Sequence, residues 1–105
     1  MTTLRKIAHA RAGDKGDVVN ISVIAYRAAD YEQLERHVTA ERVQAHLGEI
    51  ASGGVRRYAL PRIGALNFVI SKALSGGVTR SAALDKHGKT LSSALLELEL
   101  PEPET

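Results

Sequence analysis

The stretch ARAGDKGDVVNIS, Ala10 to Ser22, sets the pentad Gly13-Asp14-Lys15-Gly16-Asp17 between two runs of alternating character. Upstream the run is Leu4 to Arg11. Downstream it is Val18 to Tyr26, rich in β-branched side chains (Val18, Val19, Ile21, Val23, Ile24) that favour a pleated, half-buried strand. The pattern predicts a β-hairpin. Opposing Gly13 to Val18 leaves a loop of Asp14 to Asp17 and pairs Ala12 with Val19, Ala10 with Ile21 and Ala8 with Val23. One face is then apolar. The other carries Arg5, Ile7, His9, Arg11, Asn20, Ser22, Ile24 and Tyr26, and a slip of one residue would mix the two sets. In this register Asn20 lies opposite Arg11 and Ser22 opposite His9.

Beyond the hairpin, Asp30 with Gln33 resembles a capping box opening a short helix, with Glu32 and Arg36 placed to pair and Tyr31, Leu34 and Val38 on the inner side. Thr39 is a second N-cap candidate. The helix after it spaces Val43, Leu47 and Ile50 along one side, and Gly53-Gly54 supplies a stop. Val55 to Leu60 reads as a third strand ended by Pro61. GALNFVISKAL (Gly64 to Leu74) places Leu66, Val69, Ile70 and Ala73 at helical spacing, which predicts a buried helix closed by Ser75-Gly76-Gly77. Val78 to Leu84 is the candidate fourth strand, Asp85 to Gly88 a turn, and KTLSSALLELEL a final helix running into a short strand. The tail, Pro101 to Thr105, holds two prolines and no apolar residue, so it is expected to be disordered.

Strands and helices mix here without the regular alternation of a doubly wound sheet, which predicts an α+β fold. Its sheet would carry the helices on the alanine and valine side and leave the face with His9, Arg11 and Asn20 uncovered. A chain of 105 residues is the size of one domain, expected over residues 1–100. With 44% hydrophobic and 25% charged residues and no long apolar run, a soluble, cytoplasmic protein without membrane association is expected. Zero cysteines fit a reducing compartment and remove thiolate chemistry. A formal charge of +2, spread along the chain with few aromatic residues, argues against nucleic acid as a partner.

The pentad reads in two ways. It is a hairpin turn of ordinary composition. It is also a candidate anion site, in which Gly13 and Gly16 let backbone N–H groups converge while Lys15 and Arg11 supply charge. A divalent ion on Asp14 and Asp17 would have most of its coordination shell unfilled, so no metal is expected. His9 and Arg11, two apart on one strand, form a polar cluster with Asn20 and Ser22. General acid/base use of His9 stands beside a packing role, since no carboxylate is placed to orient its ring. The four histidines match no ligand spacing, and no cofactor is expected. HGKT (His87 to Thr90) lacks the earlier glycine of a phosphate-binding loop, because position 83 is Ala83, leaving a turn into a helix with Asp85 and Lys89 as candidates for salt bridging or partner contact. Asn67, near the start of the predicted apolar helix, must find partners for its amide and is expected to satisfy backbone groups there.

Taken together, LRKIAHARAGDKGDVVNISVIAY, RYALPRIGALNFVISKALSGGVTRSAALDKHGKTLSSALL and the Val43/His46 helix between them resemble the AtuA-like ferredoxin-fold domain. This small domain occurs at the C-terminus of acyclic terpene utilisation proteins and also as a separate short chain. The most specific matches are His9 to Asp17 with Asn20, Leu66-Asn67-Phe68, Gly76-Gly77, and Asp85 with Gly88-Lys89. The resemblance implies a ferredoxin-like α+β fold and a bacterial catabolic setting with a larger AtuA-like protein as partner. Those larger proteins are linked to breakdown of acyclic isoprenoid acids through CoA thioesters. No catalytic role carries over.

Two functions follow as expectations. The chain is a stand-alone small subunit that completes an interface or composite site with an AtuA-like large protein acting on acyl-CoA or carboxylate compounds. Alternatively it is a self-sufficient small oligomeric enzyme or anion-binding protein using His9, Arg11, Lys15 and Asn20. A homo- or hetero-oligomer is expected in either case, because an open face bearing Ile7, Ile24 and Tyr26 is seldom left to water.

Overall fold

The computed structural model describes residues 2–15, 18–51, 53–71 and 88–101. After a two-residue strand β1 (Thr2–Thr3), Leu4–Lys6 forms one 3-10 turn rather than the start of the expected strand. Leu4 is fully buried and its N–H donates to the Leu98 carbonyl at 2.8 Å. The hairpin follows as β2 (Ala8–Lys15) and β3 (Val18–Ala25). Its register differs from the expected one by two residues: Lys15 pairs with Val18, Asp14 with Val19 and Ala8 with Ala25. The two extra pairs give backbone groups ladder partners that a longer loop would have left to water. A shift of two preserves every side chain's face, so the predicted division into an apolar and a polar face survives. The cross-strand neighbours do change. Arg11 lies opposite Ser22, His9 opposite Ile24 and Gly13 opposite Asn20.

Helix α1 (Ala28–His37) starts two residues before the predicted cap, with Arg27 at the N-cap and no side-chain cap bond. Asp30 sits in the first turn, where its charge complements the helix dipole, and accepts from Arg27 Nε at 3.1 Å. The Glu32 and Arg36 pair forms as expected at 3.0 Å, exposed and worth little. Helix α2 (Ala40–Leu47) is capped by Thr39, whose hydroxyl accepts from the Arg42 N–H at 3.2 Å. Thr39→Ala should therefore cost about 1 kcal/mol, read as a lower midpoint in urea with an unchanged slope. The stop comes earlier than Gly53-Gly54: Gly48, at φ 65°, ends the helix, and a 3-10 turn Gly48–Ala51 follows.

Strand β4 (Val55–Leu60) forms as expected. The predicted helix from Gly64 to Leu74 does not. Ala65–Ile70 is strand β5, paired with β3 on one side and β4 on the other. Leu66, Phe68 and Ile70 are buried while Asn67 and Val69 point to the other side, a period of two. The helical spacing of Leu66, Val69 and Ile70 is a coincidence of an apolar run that also alternates. Strand won because a 3-10 turn at Pro61–Ile63, closed by left-handed Gly64, folds the run back onto β4, and two neighbours then satisfy its backbone. The chain ends with α3 (Gly88–Leu96) and β6 (Glu99–Leu100), the latter pairing with β1. The expected strand Val78 to Leu84, the turn at Asp85 to His87 and the tail beyond Pro101 lie outside the described residues.

The main sheet runs β2-β3-β5-β4 with all neighbours antiparallel. Strands β3 and β4 are consequently parallel, with β5 inserted between them and α1 and α2 forming the crossover. That split βαβ unit is the ferredoxin-like arrangement, here entered at a hairpin, and it bears out the α+β expectation. The helices cover one face: α1 packs on β3 and β5, α2 on β4, and α3 on β2. Between the layers lie Ala8, Ile21, Val23, Leu66, Phe68 and Ile70 from the sheet and Leu34, Val38, Val43, Leu91 and Leu95 from the helices. Each large side chain there contributes roughly 1.5–3 kcal/mol of burial. Two polar ties brace the layer. Arg57 Nη1, from β4, donates to the carbonyls of Glu35 at 2.7 Å and Val38 at 3.1 Å, closing the end of α1. His46 Nε2 donates to the Ala94 carbonyl at 2.7 Å, joining α2 to α3.

Candidate functional site

Side chains alternate across a strand, so the residues pointing away from the helices follow from the register. They form three rows across the sheet: Gly13, Asn20, Val69, Arg56; Arg11, Ser22, Asn67, Tyr58; and His9, Ile24, Ala65, Leu60. No Asp or Glu occupies these positions. At the centre, Asn67 Nδ2 donates to Asn20 Oδ1 at 2.8 Å and to Ser22 Oγ at 2.9 Å. The amide thus joins the two central strands through side chains, where the sequence predicted that it would satisfy backbone groups at a helix start. The flanking arginines come from the edge strands. Arg11 and Arg56 are exposed and form no ion pair among the described residues.

One end of the face is aromatic and aliphatic. His9 stacks on Tyr26 with ring centroids 5.4 Å apart and planes 26° apart. Tyr26 is 61% exposed, Tyr58 48%, Leu60 41% and Ile63 66%, so four large side chains meet solvent on or beside a single face. A shallow hollow of about 320 Å³ runs along Ala59 to Ile63 at the corner. The His9 and Ser22 pairing suggested by the expected register does not exist; His9 faces Ile24 and its ring lies against a tyrosine.

The sequence candidates are accordingly divided. His9, Arg11, Gly13, Asn20 and Asn67 share the open face. Asp14 and Lys15 belong to the last two pairs of β2, and Gly16 and Asp17 lie outside the described residues, as does Asp85. Lys89 falls in the first turn of α3, within the layer on the opposite side of the sheet. Two residues of the face were missed from sequence, Arg56 and Tyr58. Both depend on β4 pairing with β5, which the helical reading of Gly64 to Leu74 hid. The alternation in Leu66-Asn67-Phe68-Val69-Ile70, bounded by Gly64, was the signal that could have found them.

The electrostatic shifts with a clear cause sit in α1. The Arg27 guanidinium is held above its ordinary value by its hydrogen bond to Asp30 and by that carboxylate's charge. The Tyr31 phenol is raised by burial, then by the charge of Glu35 and a hydrogen bond to it. Among the described residues no three His, Asp or Glu side chains converge on a point where a metal could sit, and no helix is long and apolar enough to cross a membrane.

The family model of the AtuA ferredoxin-like domain matches residues 2–101, which takes in every described strand and the three rows of the open face. The chain belongs to the AtuA ferredoxin-like domain family. No match was found among curated proteins or among solved structures. For an AtuA ferredoxin-like domain, the helix-covered side is thus the scaffold. The side with Asn67 at its centre carries Arg11 and Arg56, which form no ion pair among the described residues, and the exposed ring of Tyr58.

Proposed function

We propose that this chain is a small subunit that associates with an AtuA-like large protein in bacterial catabolism of acyclic terpenoid or related acyl-CoA and carboxylate compounds. Its open sheet face completes an interface or composite site there. The family supplies the large partner as the expected associate. The observation that carries the reading is the pair of arginines, Arg11 and Arg56, without an ion-pair partner among the described residues, flanking a hydrogen-bonded amide row in three rows that hold no carboxylate. Exposed tyrosines beside charged groups are the composition of a binding surface, because Tyr and Arg give large contact area and directed hydrogen bonds together.

Co-expression with an AtuA-like large protein from the same genome tests this. Co-elution in a single peak on size exclusion is the expected result, and two independent peaks at micromolar concentration would remove the proposal. A second reading has its own support: Arg11 beside Gly13 and Asn20 makes a local anion-binding arrangement, so the chain also serves as an anion-binding protein in its own right, with His9 and Lys15 at its margins. Isolated chain that gains no thermal stability from any carboxylate, phosphate or CoA thioester would count against this second reading, because a ligand binding only the native state must raise the melting point.

A further inference from the structure

Gly13 is a glycine that the fold does not require. Its φ lies outside the left-handed region, and a Cβ placed on it would meet no atom within 4 Å. Glycine inside a strand gives up chain entropy and packing, and it normally marks a bulge, a bend or the close approach of another molecule. There is no bulge here: Gly13 pairs one-to-one with Asn20, and the pairs on both sides are regular. Close approach of another molecule is the reading that the free donors around Gly13 support. The missing side chain leaves a notch in the open face, bordered by Arg11 on its own strand and by Asn20 across from it.

The groups around the notch define what fits. Asn67 spends both amide hydrogens on Asn20 Oδ1 and Ser22 Oγ. With those oxygens engaged, Asn20 keeps two N–H groups and Ser22 its O–H, all free to donate outward. Arg11, opposite Ser22, adds a guanidinium with no carboxylate in the three described rows of its face. Residues paired across strands sit about 5 Å apart and those two along a strand roughly 7 Å, so these donors span one small group. A surplus of donors beside the Arg11 guanidinium selects an acceptor-only anion. The planar fork of Arg matches a carboxylate. On the far side of Asn20, half-buried Val69 offers an apolar rest.

We propose that the Gly13 notch seats the carboxylate of a small monocarboxylic acid, held by Arg11, the Asn20 amide and the Ser22 hydroxyl, with its carbon chain over Val69. The proposal rests on the anion-binding reading and narrows it to one group in one place.

Hexanoate titrated into the isolated chain and followed by 1H-15N correlation spectra tests it. The expected result is movement of the Asn20 side-chain NH2 pair and the Gly13 amide, with no response to methyl hexanoate. Arg11→Gln should weaken hexanoate at least about tenfold, since it removes a charged, forked donor. Gly13→Val should abolish binding while raising the melting temperature by a few degrees, because a β-branched residue suits an unstrained strand position; Gly13→Ala should lie between. Unmoved Asn20 resonances, an equal response to the ester, or full affinity in Gly13→Val would each overturn the proposal. Binding of inorganic phosphate with hexanoate inert would also overturn it, while leaving the broader anion-binding reading in place.

Discussion

Phe68→Ala should destabilise the protein by about 3–5 kcal/mol, a large share of the roughly 5–15 kcal/mol typical of a domain. Phe68 is the largest fully buried side chain, in the middle of a strand paired on both sides. Its neighbours across the sheet are Ile21 on β3 and Arg57 on β4. Removing the ring leaves a cavity between the sheet and the helix layer, and both partner strands are held in place by backbone pairing, so the site has little freedom to collapse. Val69→Ala, one residue on, should cost about 1 kcal/mol or less, since Val69 is half-buried on the open face. Urea titration of both variants reads the contrast directly. Equal costs would contradict the strand, because a helix would bury position 69 together with 66 and 70.

Arg11→Glu combined with Arg56→Glu should reduce association with an AtuA-like large protein by well over tenfold, with the fold intact. Both side chains are exposed and lie at opposite edges of the same face, so reversing them puts two carboxylates into rows that hold none among the described residues. A partner surface complementary to two arginines then meets like charge, which raises the cost of docking and slows encounter. The native association should weaken with added salt, and the double variant should lose that dependence. Arg36→Ala, on the exposed side of α1, is the matched control and should leave co-elution unchanged. Undiminished co-elution of the double variant would place the interface elsewhere on the chain.

Both predictions turn on which residues share a face, and that was legible only in part. In the hairpin the alternation was strong enough that the polar and apolar sets separated correctly even though the register was off by two. Parity alone assigns a face, while turn length assigns the partner. His9, Arg11 and Asn20 were therefore found together, but the pairing of His9 with Ser22 was not real. Thr39 was legible because a cap is a local device, satisfied within three residues. Asn67 was not. An apolar run of six residues fits a strand or a turn of helix equally well, and the choice was made by β3 and β4, distant in sequence, offering backbone partners on both sides.

The sequence by itself determined the α+β class, the hairpin, the second helix with its cap and the division of β2 and β3 into two faces, because each follows from spacings of a few residues. Only the tertiary structure decided that Ala65–Ile70 is the central strand, that Asn67 bonds Asn20 and Ser22, and that Arg56 and Tyr58 join Arg11 on the open side. The two hydrogen bonds of Asn67 join segments 47 and 45 residues apart. Their energy comes from pairing and burial that no single segment holds until the sheet has closed.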